Sequence, residues 1–322
     1  MTKKTSPLTL LVLLSILAAL FSGCAAQPSS SDSAEMSGTI TISGAFALYP
    51  MMQRWQEEFQ ALYPDVAFDV SAGGAGKGMA DTLAGIVDIG MVSREITPDE
   101  EAKGAYWVPV TIDAVVPTIN TSNPVYVELM QAGLTQQDFV RIFITGELKT
   151  WGEAVGRPEI TDEIHVYTRS DAAGAPETWA KYLGAKQEDL LGVGIFGDPG
   201  LVEAVANDPF GIGFNNIGYA YDFDSGAPLK GIAVLPIDVN ENRLADPDEV
   251  LETKSKAVEM IAAGKYPSPP ARALNLVTLQ KPSGITRAFI EWILTSGQQF
   301  VGEAGYVPLT EDQLKEALSK VQ

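Results

Sequence analysis

Three short loops hold the residues best suited to gripping an anion: Ser43-Gly44-Ala45-Phe46-Ala47-Leu48-Tyr49-Pro50, Gly73-Gly74-Ala75-Gly76-Lys77-Gly78 and Arg169-Ser170-Asp171-Ala172-Ala173-Gly174-Ala175-Pro176. Each follows a stretch that reads as a strand and opens one that reads as a helix. Small residues there let a ligand approach the backbone, and the free N–H groups of a helix start favour negative charge. Arg169 adds a full positive charge on a planar guanidinium, which can hold an oxyanion with two parallel hydrogen bonds. Lys77 is either a further charge for the same ligand or an ordinary exposed loop lysine. Taken singly, each loop is also what a tight strand-to-helix turn requires, since glycine relaxes the backbone.

The surrounding elements place these loops at comparable positions. Thr39–Ile42 reads as a strand, and Pro50 suits the first turn of a helix on which Trp55, Phe59 and Leu62 recur at helical spacing. Val66, Phe68 and Val70 alternate as a strand, Lys77–Ala84 reads as a second helix, and Ile86–Met91 as another strand. Val108–Ile119 is a long apolar strand and a crossover into a second lobe. That lobe contains a helix near Leu134–Phe143, a strand at Ile164–Tyr167, a helix from Ala175, a strand at Gly211–Asn215 and the segment Gly231–Ile237. After Pro267, Pro269 and Pro270, Ala273–Leu279 reads as a strand returning to the first lobe. Ile285, Phe289, Trp292 and Ile293 then share one helix face. The expected fold is α/β with two lobes, each a mostly parallel sheet flanked by helices, and a hinge between them. The first lobe takes residues 38–113 and 273–322, the second residues 114–272. In such proteins a ligand sits at the carboxyl ends of strands, beside helix N-termini.

The first 23 residues form a signal peptide: Lys3 and Lys4, an apolar run from Leu8 to Phe21, then small residues. The apolar run would rise about 21 Å as a helix, short of the roughly 30 Å hydrocarbon core, so cleavage is expected rather than a permanent span. Cys24 is the only cysteine, which excludes an intramolecular disulfide. Its position resembles a lipobox, which makes it the expected lipidation site. Residues 24–37, rich in serine, then form a tether on the outer face of the cytoplasmic membrane. The chain carries 22 Lys and Arg against 41 Asp and Glu, a net charge of −19. Losing Lys3 and Lys4 with the signal takes it to −21. This excludes nucleic acid as a partner and leaves the lipid as the sole membrane contact.

Together, in this order, the loops resemble those of the phosphate-binding proteins of ABC importers, within the type II periplasmic solute-binding family, over roughly residues 38–311. The segments Val87–Arg94, Leu134–Trp151, Gly211–Phe214 with Tyr219–Tyr221, and Gly305–Leu309 carry the same likeness. The resemblance implies capture of phosphate between two lobes by a monomer and delivery to a membrane permease driven by an ATPase, with no catalysis and no required cofactor. It implies ligand-binding positions at Ala47, Leu48, Ala75, Gly76, Ser93, Arg169, Ala173, Gly174 and Ala175, with Asp171 orienting Arg169. The family's hydroxyl donors fall on Ala47, Ala75, Ala173 and Ala175, all alanine here. A hydrogen bond lost to a charged ligand costs about 1.5–3 kcal/mol. The backbone amides remain, and Ser93 is the one acceptor for a proton on phosphate. Sulfate, molybdate and tungstate need donors only and are the alternative ligands.

Asp238, Asn240, Asn242, Asp246 and Glu249 stand at positions 1, 3, 5, 9 and 12 of a calcium-loop pattern. Arg243 replaces the glycine of its sharp turn, and an acidic surface loop is the competing account. A structural calcium ion is the one metal the sequence suggests. One histidine, His165, and one cysteine leave no zinc set of the usual types. No Ser/His/Asp set suggests an enzyme. Trp55, Phe59, Trp179 and Trp292 are expected in cores.

Overall fold

The computed structural model describes residues 36–322, of which residues 37–322 form one compact unit. The signal sequence, Cys24 and nearly all of the tether lie outside the described residues. Strand β1 (Gly38–Gly44) leads through a short 3-10 turn at Phe46–Leu48 into helix α1 (Tyr49–Leu62). Pro50 sits in its first turn, where a missing N–H costs nothing. Met51, Met52, Trp55 and Phe59 are buried, but Leu62 is 58% exposed. The helix ends there, and Tyr63 covers Phe59 instead, their ring centroids 4.7 Å apart.

Strand β2 (Val66–Ala72) is followed by α2 (Ala75–Leu83), then β3 (Ile89–Val92), α3 (Pro98–Ala102) and the long strand β4 (Ala105–Asn120). Helix α2 starts two residues before Lys77. The strand expected from Ile86 starts only at Ile89. Ile86 is exposed, and Asp88 first ties the chain to β1 by accepting from Thr41 N and Oγ at 2.8 and 2.7 Å. Next come α4 (Tyr126–Ala132), α5 (Gln136–Phe143), α6 (Trp151–Ala154) and β5 (His165–Arg169). Helix α7 (Gly174–Tyr182), β6 (Val193–Ile195), α8 (Gly197–Asn207), β7 (Gly211–Asn216), α9 (Ile217–Ala220) and β8 (Ile232–Val234) follow. The chain closes with α10 (Lys254–Ala262), β9 (Ala271–Leu279), α11 (Gly284–Ile293) and α12 (Glu311–Val321).

The strands run in the order β2-β1-β3-β9-β4-β7-β5-β6, with β8 on β4. Pairing is parallel among β2, β1 and β3 and again among β7, β5 and β6. The antiparallel pair β4 and β9 joins the two sets. Residues Ala105–Ala114 of β4 pair with β9, whereas Val115–Ile119 pair with β7. One strand thus passes from the first sheet half into the second. Its register shifts between Pro109 and Thr111, as expected where a proline supplies no ladder N–H.

Each half has its own aromatic core. In the first, Phe59 packs edge-on against Phe289 and Trp292, at 5.0 and 5.4 Å between centroids. In the second, Trp179 meets Phe139, Phe143 and Phe214 within 6 Å. Burying each such ring contributes about 1.5–3 kcal/mol. These cores fix the strand ends from which the three loops emerge. Among the described residues no helix is long and apolar enough to cross a membrane.

Candidate functional site

Arg169 ends β5, and its side chain is 1% exposed. Asp171, two residues on, grips it in a fork: Nε donates to Oδ1 at 2.8 Å and Nη2 to Oδ2 at 2.6 Å. Nη1 donates to Asp198 Oδ2 at 2.6 Å. Burial lowers the guanidinium's affinity for its proton, but Asp198 and Asp171 outweigh this and hold its pKa above the ordinary value. Burial likewise raises the Asp171 pKa, but Arg169 and the Gly197 N–H, at 3.1 Å from Oδ1, bring it below the usual carboxylate range. The two remaining guanidinium N–H groups are the ones a ligand can use.

The first loop covers this guanidinium. The Phe46 ring lies 5.4 Å from the Arg169 carbon Cζ and meets Phe196 and Tyr219 edge-on at 6.0 and 6.5 Å. Tyr306, from the Gly305–Leu309 segment, donates its hydroxyl to Ala47 O at 2.8 Å and so fixes the loop from the chain's far end. Val307 pairs with Ile112 across the same junction. Ala47, Leu48, Ala75, Ala173 and Ala175 are all buried.

The second and third loops touch. Gly76 N donates to Ala172 O at 3.2 Å. Gly74, at φ +92°, brings its backbone against Ala172 O and Asp171, in a conformation that side-chain-bearing residues rarely adopt. Gly174 lies so close to Ser93 that an added Cβ would collide with its Oγ and carbonyl oxygen. Ala75, Gly76, Gly174 and Ala175 occupy first-turn positions of α2 and α7, whose N–H groups have no partner along the helix. The candidate positions therefore converge on Arg169, with Ser93 beside α7. Two of their amides have protein partners here: Gly76 as above, and Leu48, which donates to Ala45 O at 3.2 Å.

Lys77 points away from this cluster. Its ammonium pairs with Asp81 one turn along α2, and Asp81 also accepts from Ser43 Oγ at 2.7 Å. Of the two readings of Lys77, this geometry favours the ordinary exposed lysine, because i,i+4 spacing puts the two side chains together. His165, half exposed at a strand edge, pairs with Asp208 at 2.7 Å. Trp292 is only half-buried, unlike Trp55 and Trp179.

In the calcium-like loop, Asp238 accepts from Asn242 N and Arg243 N at 3.1 and 2.9 Å. Glu249 accepts from Val239 N and Asp246 N at 2.7 and 3.1 Å, and the amide groups of Asn240 and Asn242 both turn to Asp246. Arg243 takes the positive φ that the glycine would supply, +62°, and reaches out to Asp138 at 2.7 Å. Internal hydrogen bonds account for the loop's shape. Among the described residues no group of three His, Cys, Asp or Glu is arranged to hold a metal ion.

Sequence reasoning missed a buried polar chain behind Arg169. Asp198 also accepts from Asn216 N at 3.1 Å and Nδ2 at 2.9 Å. Asn216 Oδ1 accepts from Arg272 Nη2, and Arg272 Nε donates to Ser93 O at 2.9 Å. Arg272 Nη1 stands 3.8 Å from Asp113, its register partner across β4 and β9. Both Asp113 carboxyl oxygens lack a hydrogen-bond partner, and burial pushes its pKa up to about 6. The members of this polar chain lie 29 to 103 residues from Arg169 in sequence, on one helix and three strands, and no local spacing announces it. A separate cavity of about 520 Å³ lies among Arg94, Trp107, Glu177, Lys181, Arg272 and Asn275; the three loops do not line it.

A buried arginine thus stands beside the first turns of α2 and α7, at strand ends of a two-lobed α/β frame. The family comparison agrees with that frame: the profile of the PBP superfamily domain matches residues 29–296. The chain belongs to the PBP superfamily. This PBP superfamily chain is 25% identical to the phosphate-binding protein PstS of Bacillus subtilis (strain 168), over 96% of each chain. It is 25% identical to PstS of Pseudomonas aeruginosa PAO1, over 92% of this chain and 91% of the other. Among solved structures, a putative phosphate ABC transporter substrate-binding protein from Clostridium perfringens superposes with a TM-score of 0.68 at 21% identity. It covers 85% of this chain and all of that one. An ABC-type phosphate transport receptor from Vibrio cholerae gives 0.60 at 20% identity, over 84% of this chain and all of the other. The type II periplasmic-binding-protein fold expected from the sequence is the fold of these neighbours.

Proposed function

We propose that this protein is the capture subunit of an ABC importer and that it holds one phosphate ion between two lobes. The observation that carries the reading is Arg169: buried, clamped by Asp171, and set where three glycine- and alanine-rich loops meet two helix starts. A group so placed offers directed N–H donors to an oxyanion and provides no nucleophile or base for turnover. The names of the two relatives above, both phosphate-binding, support the choice of ion. Ser93 already lies against the start of α7, so hinge opening at the β4–β9 seam would part them to admit the ligand, and the closed form would engage a permease and its ATPase. The protein works as a monomer, tethered outside the cell through a lipid on Cys24. Replacing Cys24 with alanine should release it from the membrane fraction into the medium or periplasm; retention would remove the lipid anchor from this account.

Calorimetric titration of anion-stripped protein with phosphate, sulfate, molybdate and tungstate tests the ligand. Phosphate should bind, and Arg169→Ala should weaken it at least about a hundredfold, the loss of two charge-assisted hydrogen bonds at roughly 1.5–3 kcal/mol each. Binding of another oxyanion with silence toward phosphate would overturn the ligand and keep the site.

A further inference from the structure

Asp198 is fully buried in the first turn of α8, and only donors surround its carboxylate. Oδ2 accepts from Arg169 Nη1 at 2.6 Å and Asn216 Nδ2 at 2.9 Å, and Oδ1 from Asn216 N at 3.1 Å. Its two oxygens thus accept three hydrogen bonds from protein donors. Arg169 therefore faces two carboxylates, Asp171 and Asp198, within 3 Å. The other charged or titratable groups around Asp198 are Arg272 from β9, Asp113 from β4, Tyr219 from α9 and Tyr306 from the C-terminal segment. Two arginines thus stand against two or three carboxylates. The helix starts of α2 and α7 add about half a positive charge each. The balance around the ligand position is therefore between zero and about +1, enough for one ligand charge at most, and the four loop positions able to offer hydroxyl donors are alanine.

We propose that Asp198 is a specificity-determining residue, which by sharing Arg169 makes the cleft select a singly charged tetrahedral oxyanion over a doubly charged one. For phosphate, the form taken is the dihydrogen ion. The proposal rests on the reading that Arg169 faces an oxyanion. Its physical basis is that a second ligand charge finds no uncompensated positive charge to meet, in surroundings where charges are weakly screened. A proton on the ligand removes that charge and supplies a donor, for which Ser93 is the nearby hydroxyl acceptor. Asp198 acts at one remove, through the guanidinium, and it also links Arg169 to Asn216, Arg272 and the carbonyl of Ser93.

The test uses the whole chain in mild detergent and calorimetry at one pH with perrhenate and tungstate, tetrahedral ions of similar size that differ by one charge. The wild type should prefer perrhenate by about tenfold or more, and Asp198→Asn, nearly isosteric, should move that ratio toward tungstate by a similar factor. Glu316→Gln, which removes a carboxylate from the exposed face of α12 far from the loops, should leave the ratio where it is. Phosphate should bind the wild type more tightly at about pH 5.5 than at about pH 8.5, since its second ionisation falls between them, and this preference should shrink in Asp198→Asn. A variant that binds with an unchanged ratio, or a wild type that prefers tungstate, overturns the proposal. The wild-type comparison decides alone if the variant does not fold. A wild type that binds phosphate yet shows no charge preference defeats only this inference. One that binds none of these ions defeats the underlying reading of the site.

Discussion

Three of the five guanidinium N–H groups of Arg169 are taken by Asp171 and Asp198, so the residue is oriented before any ligand arrives. A preoriented fork loses little side-chain entropy on binding. The acid at the other end of the polar chain is less well served. Asp113 has no hydrogen-bond partner for either oxygen, and its nearest cation group is 3.8 Å away. Burial lifts its pKa to about 6, while Arg272 pulls it back only in part. The folded state thus favours the neutral acid. The stability this contributes is fully present below about pH 4, the ordinary carboxylate value, and is lost as pH rises through about 6. Asp113→Asn keeps the neutral form at every pH. Urea titrations should show the variant gaining on the wild type between about pH 4 and about pH 7, by up to roughly 3 kcal/mol. A difference that stays flat across that range would show that Asp113 does not titrate there.

At the level of elements, the site depends on how closely the loops of the two sheet halves approach. Gly174 opens α7 directly on Ser93, and a methyl group there has no room. Gly174→Ala should force the two loops apart and weaken oxyanion binding about tenfold or more, the consequence of roughly 1–3 kcal/mol of overpacking. The melting temperature without ligand should change less than with it. Equal losses in both states would mean that the contact serves stability alone. Much of this frame was legible in the sequence, because strand-to-helix turns announce themselves through small residues and Pro50, and apolar periodicity marked most elements within two or three residues. Ile86 and Leu62 misled because each is an apolar residue at the end of an element, where periodicity no longer reports burial. Lys77 was open to two readings in the sequence, and its i,i+4 acid favours the exposed-lysine one. Arg169 and Asp171 could be paired from their spacing, whereas Asn216, Arg272 and Asp113 meet only through sheet pairing across β4, β7 and β9, and Asp198 only through the packing of α8 on β7.

The whole molecule presents an unusual electrostatic problem for an anion binder. Its net charge of −19 becomes −21 without Lys3 and Lys4. Near the ligand position, positive charge comes from Arg169 and Arg272 and from two helix starts whose influence fades within a turn. A phosphate or sulfate ion approaching from solvent therefore meets a repulsive field until it enters the cleft. At about 0.01 M salt that field reaches roughly 30 Å, and at about 0.15 M roughly 8 Å. Added salt of a non-competing anion should thus speed association, the reverse of the behaviour of a steered encounter, in which opposite charges attract and salt slows the rate. Stopped-flow mixing across this range should show the association rate constant rising several-fold for a dianion and less for a monoanion, while the dissociation rate from the dry, buried site changes little. If the rate instead falls as salt is added, the loop amides and Arg169 must dominate the field at the cleft mouth despite the acidic surface. The charge on the rest of the protein would then serve another purpose, such as keeping like-charged copies of the molecule apart.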